Sequence, residues 1–454
     1  MNMELGSEIS KKSHADTRWI DGLRGLASVA VCMSHLLGGI HPDLYFSYGD
    51  GLSRSKSWLK LPIIRLFHSG DAAVAIFFLI SGYAISFRPL RRAHCQQRNA
   101  LLSELGSSAF RRAGRLLLPT LAASFATMVA AQLGAFESEQ SPDLMLFVMA
   151  HRRKSIAEQF NTWIREIFSL FHRNTNDLET PDLLYGTQLW TIPVELNASL
   201  VVYLYVLALT PLRTLPRLVI TGLSACYFLA VARWDLFLFL SGMFLADIAA
   251  RRESSPPPPQ GYLPLTEGSS NFPRQQHRLR TGPRVVRYLG LFAALVVGLA
   301  LASEPTINAA EAPSWKHLNR LVPPSYMEGQ IGRFWVAIGA FLVFFSVERI
   351  TLAQTILSLP LVLHLGDISF GLYLVHNAIM SSVGAWIISL ISGPTEKMGI
   401  AGTRDRGESW DMGALVVVGL IFGLSWGTAV LFHWFVDRPS VGAMKRLEAR
   451  LRDS

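Results

Sequence analysis

The first segment that could do chemistry runs from Asp21 through Arg24 to His35. Arg24 and His35 are eleven positions apart, so a helix would present both on one face, about 16 Å apart along its axis. A guanidinium can bind an anion, and a neutral imidazole can accept a proton near pH 7. The pair therefore predicts a helix with an anion-binding end and a proton-accepting end.

Each of these two residues also has a purely structural interpretation. Arg24 alone could extend its side chain to the membrane surface. His35 alone could be a neutral, hydrogen-bonded histidine of the core. Their shared helix face favours a functional interpretation of the pair, and both structural alternatives stay open at this point.

Two further segments carry polar side chains into apolar runs. Glu195 follows Trp190 and lies about one and a half turns inside a helix, where a carboxyl group would be protonated or paired with a basic residue. Trp190 alone would also suit an interfacial aromatic belt. Ser369, Tyr373 and His376 recur at spacings of four and three and so share one helix face. That face is too polar for lipid, so it should point into the bundle or a water-filled cavity.

A run of arginines leads into another apolar segment. Arg111, Arg112 and Arg115 stand just before Pro119. Arginines three or four positions apart at a helix start form a fork that suits phosphate groups. Basic residues beside a span also set membrane orientation, so the run has two interpretations, phosphate binding and topology.

Composition indicates that all these residues lie in a membrane protein. Of 454 residues, 50% are hydrophobic and only 17% are charged, against roughly 25% charged in soluble domains. Many apolar runs approach the ~20 residues that a transmembrane helix needs. The net charge of +9 is typical of basic cytosolic loops. We therefore predict an all-α, polytopic transmembrane helical bundle with the lipid bilayer, and no nucleic acid, as its partner.

Ten apolar windows are the candidate spans. They cover residues 20–40, 70–88, 114–134, 188–209, 216–232, 234–250, 287–303, 331–348, 367–391 and 412–435. The apolar segment 354–366 could be a separate interfacial helix. The arginine-rich loops 88–115 and 251–287 alternate with acidic or balanced loops, which places both termini in the cytosol.

The same windows divide the chain into a membrane domain and two polar tails. We assign a cytosolic N-terminal tail, a membrane domain and a basic cytosolic tail to residues 1–19, 20–440 and 441–454. Within the domain, the proline-rich segment 251–286 predicts a flexible cytosolic linker. Residues 135–187 predict a non-cytosolic loop with an amphipathic stretch at 160–164, and residues 393–411 should face the same side.

Six segments, in order along most of the chain, resemble the acyltransferase-3 family of integral-membrane acyltransferases. They are Asp21–Gly25 followed by His35, Gly70–Tyr83, Arg111–Arg115 with Pro119, Trp190–Glu195, Gly366–His376 and Trp434–Pro439. Each is short, but their order over residues 20–440 is specific. The chain departs from the family pattern at Asp437, where glutamate is common. It also departs after Glu195, where Asn197 and Ala198 stand near the position of a frequent aromatic residue.

The resemblance implies transfer of an acyl group, acetyl or another short acyl, from acyl-CoA to a hydroxyl of a small metabolite, sugar or lipid. Fungal family members often decorate small metabolites, which suggests secondary metabolism. It implies that His35 is the general base, with Arg24 and Glu195 as its functional partners. The residues implied on the CoA side are Arg111, Arg112 and Arg115. Those implied to line the site are Asp21, Trp190, Ser369, Tyr373 and His376.

The expected co-substrate is acyl-CoA, with no permanently bound cofactor and no metal ion. His35 and His376 could form a metal pair, but no third ligand stands at a suggestive spacing. No lipase-type serine elbow is present, because Ser81 lacks the flanking glycine pattern. The alternative function is a transporter or exporter that uses the buried Arg24, Glu195 and His35 as a proton relay.

Overall fold

Helices account for the architecture of the whole described part of the computed structural model. The structure describes residues 17–49, 57–95, 101–137, 149–172, 183–254, 281–309, 312, 315–326, 330–392 and 412–453. No strand occurs in these ranges. In lipid a helix satisfies every backbone polar group within its own segment, so long apolar runs adopt this form.

Fourteen helices are numbered in chain order. They are α1 (Arg18–Ile40), α2 (Gly70–His94), α3 (Leu101–Gln132), α4 (Ile156–His172), α5 (Thr191–Leu209), α6 (Thr214–Ala230), α7 (Trp234–Ser254), α8 (Thr281–Ala302), α9 (Ile331–Val347), α10 (Thr351–Leu357), α11 (Pro360–Ile379), α12 (Ala385–Ser392), α13 (Met412–Phe432) and α14 (Arg438–Asp453). Short helical turns lie between these helices, at Pro42–Tyr45, Trp58–Lys60, Ile64–His68, Thr187–Trp190 and Lys316–Asn319. The π-helical turns Met380–Gly384 and His433–Asp437 join α11 to α12 and α13 to α14.

Each of the ten predicted windows contains a helix. Among the described residues, seven helices are long and apolar enough to cross a membrane. The number becomes eight if α9 and α10, which meet at a bend of 99°, form one broken span. The chain is thus an integral, multi-pass membrane protein, while the total of ten spans and the cytosolic termini stay predictions.

One predicted segment is divided differently by the structure. Residues 354–366 do not form a single interfacial helix, because α10 ends at Leu357 and α11 begins at Pro360. Proline lacks an N–H group and is well tolerated at the first position of a helix. The apolar run is therefore shared between two helices.

Other predicted segments are partly helical. The amphipathic stretch 160–164 lies within α4, whose Trp163 is buried. The predicted linker is shorter than its 251–286 range, since α7 continues to Ser254 and α8 begins at Thr281. Residues 255–280 and 393–411 lie outside the described residues.

Glycines bring two pairs of helices into close contact. A Cβ added at Gly25 of α1 would lie 2.5 Å from the backbone nitrogen of Gly366 of α11. A Cβ at Gly366 would lie 2.4 Å from the carbonyl oxygen of Asp21. Gly82 of α2 and Gly242 of α7 allow a similar approach, since an added Cβ at each would meet the facing backbone at 2.1 and 2.3 Å. Small residues permit such backbone contacts between transmembrane helices, and the first pair seats Arg24 against α11.

Candidate active site

Two histidines meet between α1 and α11. The rings of His35 and His376 stack with centroids 5.3 Å apart and planes 19° from parallel. His376 is 0% exposed, and its Nδ1 lies 3.0 Å from the carbonyl oxygen of Leu372. Because a carbonyl can only accept a hydrogen bond, Nδ1 carries the hydrogen and Nε2 keeps its lone pair. His35 is half-buried, so it is the more exposed imidazole of the pair.

Arg24 occupies the other end of the same α1 face. Its Nε donates to the Ser369 hydroxyl over 3.0 Å, and Nη2 donates to the Gly366 carbonyl over 3.1 Å. An oxygen of Asp21 lies 3.5 Å from Nη2. Since Arg24 meets the first part of α11 and His35 meets its later part, the two helices run in the same direction.

Tyr373 connects α11 to the beginning of α5. Its hydroxyl donates to the Gln188 carbonyl and lies 2.7 Å from Thr191 Oγ1. Gln188 in turn donates to the Leu374 carbonyl over 2.8 Å and accepts from Asn377 Nδ2 over 2.5 Å. The predicted polar face of α11 therefore points into the bundle, and its hydrogen bonds hold that wall rigid.

Glu195 is paired with a basic residue of another helix. Its Oε1 accepts from Arg112 Nη2 of α3 and from the Ser81 hydroxyl of α2, each over 2.7 Å. Arg112 Nε also donates to the Ser199 hydroxyl over 2.6 Å. The Arg112 and Glu195 side chains are only 17% and 18% exposed. Of the two alternatives for a glutamate in an apolar run, the structure supports pairing.

The three arginines of α3 do not point the same way. Arg111 Nη1 lies 2.9 Å from a carboxylate oxygen of Glu448 on α14, away from Glu195. Charged groups within electrostatic range of Arg115 are Arg24, Arg112, Glu195 and Asp437. The predicted fork is therefore divided: Arg115 lies within electrostatic range of both Arg112 and Arg24, whereas Arg111 belongs to the contact between α3 and α14.

The structure adds an ion pair that motif reasoning did not assign. Arg333 at the start of α9 lies 2.8 Å from Asp71 at the start of α2. The same guanidinium lies over the rings of Trp190 and Trp234, 5.8 and 4.9 Å from their centroids. The sequence shows Arg333 as a lone arginine at the start of an apolar window, and this position could have marked it as a candidate functional residue. Its partners could not be predicted, because charge pairing across helices has no local pattern.

A buried acid lies beside this pair, outside the membrane-spanning segments. Glu304 is 1% exposed and follows α8. Burial raises its pKa to about 8, the negative charge of Asp71 adds to that rise, and Asn319 and Arg65 oppose it. Burial also lowers the pKa of the Arg65 guanidinium to about 10. Arg333, Asp71, Glu304 and Arg65 therefore form a second polar cluster. This cluster lies at the opposite end of α1 from Arg24.

The chemistry available at the site is proton transfer and anion binding. In the described ranges no three histidine, cysteine or carboxylate side chains are grouped so that they could hold a metal ion. The structure therefore assigns no metal ligands, and the expectation of a metal-free reaction stays a prediction.

Comparisons with known proteins give a matching family and several relatives. The family model for acyltransferase-3, described as an acyltransferase domain, matches residues 17–434. O-acetyltransferase PaAT-1 of Phomopsis amygdali is 28% identical, with 85% of this chain and 78% of the relative covered. Acyltransferase clz18 of Cochliobolus lunatus is 26% identical, with 93% and 94% covered. Acyltransferase R4 of a Phoma species is 26% identical, with 95% and 96% covered. No solved structure matches.

Proposed function

The chain belongs to the acyltransferase-3 family, and we propose that this membrane O-acyltransferase moves a short acyl group from acyl-CoA to a hydroxyl of a small metabolite. Acetyl is the favoured group because one relative is named an O-acetyltransferase. A small-metabolite acceptor follows from the family resemblance.

One observation carries the proposal: α1 and α11 join a cationic cluster to a histidine pair along one line. Arg24 lies against Ser369 near Arg115, and His35 lies against His376. The separation of about 16 Å along α1 is on the scale of the phosphopantetheine arm of CoA. That arm carries phosphates at one end and the thioester at the other, so the donor matches both ends of the helix.

His35 is the proposed general base. It takes the proton of the acceptor hydroxyl while the oxygen attacks the thioester carbonyl. The carbon–sulfur bond then breaks, and the proton passes from His35 to the sulfur, so that CoA leaves as the thiol. His376 is fully buried, and we assign it the role of holding His35 in position by ring stacking.

The arginines are proposed to bind the phosphates of the donor. Arg24 and Arg112 both lie within electrostatic range of Arg115, and the carboxylates near these three arginines are Asp21, Glu195 and Asp437. Guanidinium groups bind phosphate in a charge-assisted, bidentate manner. Glu195 orients Arg112 through their 2.7 Å contact and limits repulsion within the cluster. Arg111 has no part in this role, because it pairs with Glu448.

The remaining predicted residues are assigned to the walls of the site. Ser369 and Tyr373 are buried on the α11 face between the two ends. Asp21 contacts Arg24 at the outer end of α1. Trp190 lies under Arg333 at the histidine end, where the acceptor would approach.

Purified protein in detergent micelles provides the test. Acetyl-CoA is supplied with a panel of hydroxylated metabolites, and thiol release is followed together with product mass. We expect thiol release that depends on an acceptor and is lost in His35→Gln. Acyl transfer needs no sealed compartment, whereas the transporter alternative requires vesicles. Consumption of acetyl-CoA at an equal rate in His35→Gln would contradict the proposed base.

A further inference from the structure

A basic groove opens between α7, α8 and α9, at the end of the bundle that the loop charges predict to be cytosolic. It has a volume of about 610 Å³. The groove is lined by Arg252, Arg287, Gly290, Leu291, Phe345 and Arg349. None of these residues belongs to α1, α3, α5 or α11, the helices that carry the candidate active site.

Positive charge predominates at this groove. Arg349 and Arg252 both contact Glu348, the latter over 3.4 Å. Arg287 adds a third guanidinium within electrostatic range of Arg349. Three arginines around one carboxylate leave an excess of positive charge, which favours an anionic ligand.

Arg349 is held as part of a built surface. Its side chain is only 7% exposed, its Cζ lies 3.8 Å from the centroid of the Phe345 ring, and Nη1 donates to the Phe345 carbonyl over 2.7 Å. An arginine that serves only to orient a span needs no such fixed position. The guanidinium is therefore held in a fixed position in the lining of the groove.

The groove lies at the depth of a lipid headgroup. Arg349 lies two residues after the end of α9, where the chain bends by 99° into α10. Arg287 lies two residues into the apolar window 285–302 of α8, of which only 17% is buried inside the protein. On the side of α8 that carries Gly290, the exposed apolar residues that continue from the groove are Ala293 and Val297, three and seven positions further along the helix. The basic groove thus adjoins an exposed apolar surface of α8, which would face lipid.

We propose that this groove binds the phosphorylated headgroup of an anionic phospholipid, whose acyl chains lie along α8. Basic pockets between transmembrane helices are a recurring form of anionic-lipid recognition. A free phosphate or CoA would use the same arginines, but neither would use the adjoining apolar face. The combination of charge and apolar surface favours the lipid.

The test measures binding of dioctanoyl phosphatidylinositol 4-phosphate to the full-length protein in neutral detergent by native mass spectrometry. Dioctanoyl phosphatidylcholine, inorganic phosphate and CoA are the comparison probes. We expect the anionic lipid to bind at least about tenfold more tightly than phosphatidylcholine, the scale set by two basic residues at a membrane surface. CoA that displaces the lipid through the same residues would overturn the proposal, as would phosphate that binds equally well.

Two kinds of variant locate the binding. Arg252→Gln with Arg287→Gln removes two exposed charges and should abolish the preference for the anionic lipid. Gly290→Phe leaves the charge unchanged and fills the groove, since nothing lies within 4 Å of an added Cβ there. It should weaken binding about as much.

The matched control is Arg446→Gln with Arg450→Gln on α14, which removes the same charge elsewhere at the predicted cytosolic end. This control should bind like the unmodified protein. Equal loss in the control would mean that only the general basic field attracts the lipid. Full binding by Arg252→Gln/Arg287→Gln or by Gly290→Phe would also overturn the groove assignment.

Discussion

His35 and His376 stack at 5.3 Å, and the two imidazoles differ in what else surrounds them. His376 is enclosed and bonded through Nδ1 to the preceding turn of its own helix. His35 is half-buried. The proposed base is thus the more exposed ring of the pair, and the proposed support is the enclosed one. This asymmetry makes the proposed roles separable by experiment.

Substitution of His35 should abolish turnover without loss of folding. His35→Gln keeps hydrogen bonding but accepts no proton at neutral pH, so we expect kcat to fall by at least ~10²-fold, the scale of a lost general base. His376→Gln should lower kcat less, because a base remains. Initial rates and size-exclusion profiles in detergent measure both effects.

A third histidine serves as the control for this comparison. His364 lies on the same helix as His376 but stacks on Trp426 of α13, with ring centroids 5.8 Å apart. His364→Gln should retain near-normal kcat. If His376→Gln proved inactive while His35→Gln remained active, the base would have to be reassigned to His376.

Arg115 and Arg111 of α3 should differ in their effect on binding of the donor. Arg115→Gln removes a charge beside Arg24 and should raise the KM for acetyl-CoA about tenfold or more, as expected for one charge-assisted phosphate contact. The acceptor KM should change little. Steady-state kinetics with each substrate varied in turn gives the two values.

Arg111→Gln is the matched control, since it removes the same charge four residues away. It loses only the Glu448 contact, and partly exposed ion pairs contribute about 0–1 kcal/mol. Its donor KM should therefore stay near normal. Equal donor KM values in Arg111→Gln and Arg115→Gln would show that these arginines act only through topology.

The Arg112–Glu195 pair allows stability and function to be separated. Arg112→Met leaves a mostly buried carboxylate without its partner, which should cost up to about 3–5 kcal/mol. Adding Glu195→Gln removes that unpaired charge and should recover much of the thermal stability. Donor binding should not recover, because the cation is still missing. Recovery of both properties together would assign the pair a purely structural role.

Glu304 should make stability depend on pH. Its pKa of about 8 in the folded protein lies above the ordinary value of 4.5, so the folded state keeps a proton that the unfolded chain has released. Between about pH 4.5 and pH 8, stability should fall as pH rises. Glu304→Gln cannot ionise, so its Tm relative to the unmodified protein should increase from about pH 5 to pH 8. A constant difference in Tm would mean that Glu304 is ionised throughout.

Labelling of single cysteines tests the predicted topology. Gln140→Cys should react with an impermeant maleimide only from the non-cytosolic side, and Ser269→Cys only from the cytosolic side. The background should lack Cys95 and Cys226, which are exposed. Reaction of both positions from one side would contradict the alternation of loops.

Local patterns in the sequence determined the helices and their polar faces. Each of the ten apolar windows contains a helix, because apolar length and backbone hydrogen bonding within lipid are properties of the segment itself. The common face of Ser369, Tyr373 and His376 follows from helical periodicity alone. The segments that resemble the family also indicated the class of enzyme. Gly25 and Gly366, which allow the close helix contact, stand in these segments.

Only the tertiary structure decided which faces meet. Arg111 and Arg112 are neighbours in sequence, yet one pairs with Glu448 and the other with Glu195. Successive helical side chains point about 100° apart, so adjacent arginines reach different neighbours, and the packing of α3 selects those neighbours. The stacking of His35 on His376 depends likewise on the close approach of α1 and α11. Such contacts join segments far apart in the chain, and their energy comes from packing, which no local pattern encodes.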